Sequence, residues 1–240
     1  MKKIGSCQLL KTVCLVILGG MLVMGLAGCD VRKNSRAYLE GKAAELDRVF
    51  PTENLEDLFE EFPGGFTFST IYWMDDKDGW GYGQIMKVEG NPDNERISGL
   101  VQTIRTTAKP SYREEILKES TFDYRDGKFI FNNPEFSMED LKTEGFIIEN
   151  VEITKNKLSK AKLLSKAYNL ETDDGAISYQ FIDSKLNHYL KMNNNEVVNL
   201  SIDIDNETIH DESFQYGLRF KYGNVNKFTI GFSGFKNARE

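Results

Sequence analysis

The sequence predicts an α+β fold, with N-terminal helices followed by a curved, mostly antiparallel β-sheet of about eight or nine strands. Three observations predict it. Apolar residues recur at helical spacing near the start of the body, at Leu39, Ala43, Leu46 and Phe50. The last third switches to strict alternation, as in Val198, Leu200, Ile202 and Ile204 against Asn199, Ser201, Asp203 and Asp205. Turn residues then separate the alternating runs. One apolar and one polar face per strand is the signature of an antiparallel sheet that is wet on one side.

The elements follow in order. Ser35 is placed to cap the first helix, which Pro51 ends. A second short helix is expected over Leu55 to Phe62, with Leu55, Leu58, Phe59 and Phe62 on one side, stopped by Pro63-Gly64-Gly65. Phe66 to Met74 and Trp80 to Val88 then alternate around a turn at Asp75 to Gly79 and read as a hairpin. Residues 97–107 read as a strand, and Asp126-Gly127 between aromatic runs marks a further hairpin over Phe122 to Asn132. Ser137 to Thr143 reads as a helical turn. In 155–169, Leu158, Ala161, Leu164 and Tyr168 suit a helix; the lysines of 155–166 could touch anionic lipid, but a solvated helix face is the stronger reading. Ala176 to Ile182 and Leu186 to Met192 have strand composition. Phe214 to Tyr222 and Phe228 to Phe232 alternate like 198–204, with breaks at Asn193-Asn194-Asn195, Asp205-Asn206 and Gly223-Asn224.

Ahead of this body stands a different kind of segment. Residues 1–11 hold Lys2, Lys3 and Lys11, and Thr12 to Gly28 carry no charge. A basic stretch followed by a short apolar run, interrupted by Gly19, Gly20 and Gly25, is a secretory leader rather than a spanning helix. It ends Leu26-Ala27-Gly28-Cys29, which resembles the lipobox of bacterial lipoproteins. Only a thiol can take the diacylglyceryl group as a thioether, and the small Ala27 and Gly28 admit the peptidase. Cleavage is expected between Gly28 and Cys29, with S-diacylglyceryl and N-acyl groups on Cys29. The expected organisation is therefore a removed signal peptide (1–28), a lipidated cysteine with a short tether (29–34) and one α+β domain (35–240). Residues 133–160 are the candidate seam should there be two lobes. The expected location is the extracytoplasmic face of the cell membrane, held by lipid.

Composition narrows the function. The chain of 240 residues has a formal charge of −7, and removing the three leader lysines takes the body to about −10. So acidic a body argues against nucleic-acid binding. Of the three cysteines, Cys7 and Cys14 go with the leader, so no internal disulfide is available to the body.

The chemistry-bearing patterns are weak. Asp75, Asp76, Asp78 and Gly79 suggest a calcium loop, but Met74 and Ile85 stand where EF-hand ligands are required, so a turn is expected. Asp203, Asp205 and Glu207 read as a solvated edge. His188 and His210 have no cysteine to complete a zinc site. Ser159-Lys160-Ala161-Lys162 fits SxxK without its SDN and KTG companions. Trp73 and Trp80, flanking the first hairpin turn, read as core or cross-strand partners before a ligand patch. No catalytic residue, metal or cofactor is expected.

Three stretches add a family likeness. The leader ending in LAGC, the run Phe50-Pro51-Thr52-Glu53-Asn54-Leu55-Glu56-Asp57-Leu58, and Thr172-Asp173-Asp174-Gly175-Ala176-Ile177-Ser178-Tyr179 together resemble the staphylococcal tandem-type lipoproteins, the conserved staphylococcal antigen-like lipoproteins. The likeness spans most of the body. It implies a membrane lipoprotein without enzymatic activity, recognised through its lipidated N-terminus by host innate receptors and linked to host-cell entry. Only Cys29 carries over as a functional residue. The expected function is thus a non-enzymatic, membrane-anchored surface lipoprotein acting in host interaction and innate immune stimulation. The rival is a lipid-anchored binding protein for a small or amphipathic ligand held in the concavity of the sheet.

Overall fold

A computed structural model describes residues 32–75, 79–108, 110–205, 213–223 and 226–237. Cys29 and Gly28, and with them the lipidation and cleavage sites, lie outside the described residues, as do Asp76, Asp78, Glu207 and His210.

The frame is one antiparallel sheet of ten strands: β1 (Phe66–Asp75), β2 (Trp80–Asn91), β3 (Arg96–Thr107), β4 (Arg113–Arg125), β5 (Lys128–Phe131), β6 (Lys162–Asn169), β7 (Asp174–Phe181), β8 (Val198–Asp205), β9 (Ser213–Tyr222) and β10 (Asn226–Phe235). The strand order is β5-β4-β3-β2-β1-β10-β9-β8-β7-β6. Two five-stranded meanders thus run outward from a central β1–β10 pair, in which Phe68 stands opposite Phe232. The connection from β5 to β6 must carry the chain from one edge of the sheet to the other. Residues 132–161 do so as a strap across one face, and they include the candidate seam, 133–160.

The helices are few and short. They are α1 (Arg36–Ala43), α2 (Leu58–Glu61), α3 (Ile147–Asn150), α4 (Lys155–Lys160) and α5 (Ser184–Tyr189), with 3-10 turns at Ala44–Arg48, Leu55–Asp57 and Met138–Asp140. None of the described helices is long and apolar enough to cross a membrane. Ser35 caps α1 as its position suggests, its Oγ accepting from Tyr38 N at 3.2 Å. Leu39 and Ala43 are then fully buried over β7 and β8. The close seat depends on Gly175: a Cβ there would stand 2.7 Å from Leu39 Cδ2.

All this packing lies on one face of the sheet. The register puts Phe68, Val88, Phe122, Phe232, Tyr216 and Ile204 on that face, each 5% exposed or less. The strap and the N-terminal helices cover it and are knitted by backbone bonds: Thr52 N to Ile148 O (3.0 Å), Ile153 N to Phe50 O (3.2 Å) and Glu144 N to Tyr189 O (3.1 Å). Gln84, 4% exposed, pins the strap from below. Its Nε2 donates to Asp140 O at 2.9 Å and its Oε1 accepts from Lys142 N at 2.9 Å. Two carboxylates in this layer are shifted in opposite senses. Desolvation pushes the Glu149 carboxyl up, against the hydrogen bond it accepts from Tyr124. Desolvation also acts on Asp183, but Lys157 and the backbone amides of α5 win and hold it below the usual range. The stabilisation from Asp183 is therefore complete above pH 3.8 and lost as pH falls further.

The architecture is a large antiparallel sheet with short helices, but three expectations need correction. The sheet has ten strands rather than eight or nine. Residues 155–169 are not one helix: α4 stops at Lys160, Ala161 is extended (φ −72, ψ 150), and Lys162–Asn169 pair with β7. Their apolar residues fit a helical period only when counted across that break, and the open β7 edge overrides local propensity. Conversely, Ser184–Tyr189 form α5, which overlaps the Leu186 to Met192 run expected as a strand. Asp183 caps it through Leu186 N at 3.0 Å, and Leu186, Tyr189 and Leu190 bury one helical side.

Candidate functional site

Alternation along ten strands leaves a second face, and nothing in the described chain covers it. Its centre is floored by small side chains because the register aligns them. Gly217 faces Gly231, Gly231 faces Ser69, and Ser69 faces Lys87. One row along, Gln215, Ser233, Thr67, Glu89 and Ser98 stand opposite one another in turn. The result is a hollow of about 640 Å³ with hydroxyls and glycine on its floor and Lys87, Glu89, Gln215 and Leu100 around it. That volume lies within the ~300–1,000 Å³ typical of ligand sites. Lys87 and Glu89 form no ion pair among the described residues, so both charges face solvent at the rim.

The face changes character on either side. Toward β6 it is polar and internally bonded. Ser178 and Ser201 share a hydrogen bond of 2.8 Å, Gln180 Nε2 donates to Asn199 Oδ1 at 3.2 Å, and Arg219 Nη2 pairs with Asp203 Oδ1 at 2.7 Å. A second hollow of about 470 Å³ lies among Leu164, Ser165, Ser178, Ser201 and Arg219. Toward the β1–β2 turn the face becomes apolar. Ile71 stands opposite Ile85, and Trp73 opposite Gly83, which in turn faces Ile104. A Cβ on Gly83 would stand 2.8 Å from the Trp73 ring, so glycine lets the indole lie flat there. Ile104 is 1% exposed despite lying on the uncovered side of the sheet.

The residues singled out from sequence are scattered rather than gathered. Trp73 and Trp80 fall on opposite faces, because Trp73 aligns with Gly83, three residues from Trp80. They cannot form one patch, and Trp80 instead meets the Arg105 guanidinium, 4.6 Å from its ring centroid. Asp203 lies on the open face, bound to Arg219. His188 is exposed on α5, 3.4 Å from Glu144. The SxxK residues are separated by the end of α4: Ser159 Oγ donates to Asn156 O, and Lys162 Nζ turns to Gln180 Oε1. Among the described residues, no three His, Cys, Asp or Glu side chains could share a metal ion. The residues that build the hollow were not read as a site. Their one signal in the sequence was the run of small and polar residues at alternate positions of β1, β9 and β10.

No family model matches the chain, and no curated protein matches it. Among solved structures it is similar to LprF from Mycobacterium bovis, whose crystal structure aligns over 80% of this chain and 97% of that one, at 8% identity and a TM-score of 0.37. A likeness that slight carries no argument about ligand, partner or site.

Proposed function

We propose that this chain is a lipid-anchored, non-enzymatic module on the outer face of a bacterial cell membrane, working by contact through the open face of its sheet. The observation that carries the reading is the asymmetry of the sheet. One face holds the core, while the other spans the width of both meanders and is left to solvent with a hollow at its centre. Cys29 supplies the anchor: its sulfur takes the diacylglyceryl group, and cleavage after Gly28 then frees its amino group for acylation. The acylated N-terminus is also what host innate receptors would read, as the likeness to staphylococcal tandem-type lipoproteins implies.

A second reading is favoured by one feature, the polar hollow lying beside the apolar row of Ile71, Ile85 and Trp73. A small amphipathic ligand could set its polar part among the hydroxyls and its apolar part along that row.

One experiment separates contact by the open face from contact elsewhere. A photo-reactive residue at Ser98, within the hollow, is compared on intact cells with the same residue at Glu135, exposed on the strap. Adducts formed from Ser98 and not from Glu135 are expected. Adducts from Glu135 alone would remove the reading, and an adduct of a few hundred daltons at Ser98 would favour the small ligand.

A further inference from the structure

The body is acidic overall, yet its charge is unevenly placed. Residues 155–170, which form α4 and β6, contain Lys155, Lys157, Lys160, Lys162 and Lys166 and no acid. The fold sets this stretch against the beginning of the described chain. Arg36 Nη2 donates to Ser159 O at 3.1 Å and to Ala161 O at 3.4 Å, and Lys166 Nζ donates to Asn34 O. Lys33 joins the same edge through Asp173 and the Tyr168 ring, and Arg32 precedes it in the chain. Three of these cations are matched by acids, in the pairs Lys33–Asp173, Arg36–Glu40 and Lys157–Asp183. The other five, Arg32, Lys155, Lys160, Lys162 and Lys166, are exposed and have no carboxylate partner among the described residues. Leu164 and Leu170 are 43% and 53% exposed beside them.

From these placements we infer that the β6 edge, with α4 and residues 32–36, is a docking surface for the anionic phospholipid headgroups of the membrane that holds the anchor. This rests on the acylation of Cys29. Arg32 is three residue steps from Cys29, a reach of at most about 11 Å. The bilayer surface is then within roughly one Debye length of the cations nearest the tether. Each cation so placed strengthens adsorption roughly five-fold. The acidic remainder is repelled by the same surface, so both terms turn the β6 edge toward the membrane and hold the sheet edge-on with its open face clear. Lysines on an edge strand also deter strand pairing with other chains. That role does not account for Arg32, Lys155 and Lys160, which lie off the strand.

The test uses the acylated protein reconstituted in vesicles. Because Cys29 is the last cysteine of the chain, a new one can carry a single fluorophore. Asn156→Cys reports the α4 end, and Lys128→Cys reports β5, the opposite edge of the sheet. With a headgroup-attached quencher in phosphatidylglycerol vesicles, Asn156 should be quenched several-fold more than Lys128. The difference should collapse in phosphatidylcholine vesicles, in 0.5 M salt (~4 Å screening length), and on changing Lys155, Lys160, Lys162 and Lys166 to Gln. Equal quenching at both edges, or a difference indifferent to lipid charge and salt, would overturn the inference. The salt and lipid arms need no substitution in the basic edge, so they decide even if the four-fold variant misfolds. The mass of the purified protein reports acylation separately. A chain without acyl mass refutes the anchor, whereas equal quenching of an acylated chain refutes only the basic edge.

Discussion

A Cys29→Ala chain is expected to take up no fatty-acid label, and either to be released or to stall as a precursor that keeps its apolar leader. The expectation follows from chemistry and magnitude together. Alanine has no sulfur to form the thioether, and without that step the peptidase acting before position 29 has no substrate. Each buried methylene is worth ~0.8 kcal/mol, so two or three acyl chains hold the protein by on the order of 20 kcal/mol. A few surface lysines at about 1 kcal/mol each cannot replace that. The loss of label should therefore be nearly complete, and fractionation separates the released chain from the stalled precursor. Fatty-acid label retained by the Cys29→Ala chain would contradict the assignment of the anchor.

Replacing Phe146 with alanine should lower the unfolding free energy by about 3–5 kcal/mol, the usual cost of truncating a fully buried aromatic. Phe146 is 1% exposed and sits where the strap crosses the β1–β5 half of the sheet. Its ring centroid lies 5.2 Å from Phe68, 6.4 Å from Phe122, 4.9 Å from Tyr124 and 4.7 Å from Phe129. Those rings come from β1, β4 and β5, so one side chain joins three strands to their cover. Ile147 and Ile148, which follow it, are fully buried, so the main chain there cannot move in to fill the space. Urea unfolding should show a lower midpoint with an unchanged slope, and Phe146→Leu should cost less than Phe146→Ala. A midpoint within error of the unsubstituted protein would mean that the strap is not a structural cover.

The sheet was legible in the sequence wherever one face is wet. Val198–Ile204, Phe214–Tyr222 and Phe228–Phe232 alternate because each strand separates core from solvent, and Asp126-Gly127 marked the β4–β5 hairpin correctly. The exchange between β6 and α5 shows where periodicity stops being sufficient. Leu163, Leu164 and Tyr168 fit either period over so short a span, and what decides is the unpaired β7 edge, a fact about tertiary structure. The opposite error could have been avoided. Asp183 followed by Leu186, Tyr189 and Leu190 is a cap with a helical stripe, which strand-like composition masks.

The hollow was not legible for a different reason. It depends on Gly217, Gly231, Ser69 and Lys87 standing side by side, and these come from four strands. The pairing of β1 with β10, which joins the two meanders, brings residues more than 150 positions apart into register. Local pattern carries no information about such a pairing. The basic edge was hidden similarly: the lysines of 155–166 were visible as a run, but their contact with the start of the chain appears only in the fold.

The central claim is that the body stands outside the cell with its open face toward the surroundings. Its most direct test is a Ser98→Cys chain treated on intact cells with a membrane-impermeant maleimide. Ser98 sits in the hollow and Cys29, once acylated, cannot react, so labelling of the acylated chain reports that one position. The account predicts that Ser98→Cys is labelled as fully on intact cells as after lysis. Labelling that appears only once the cells are broken would contradict it.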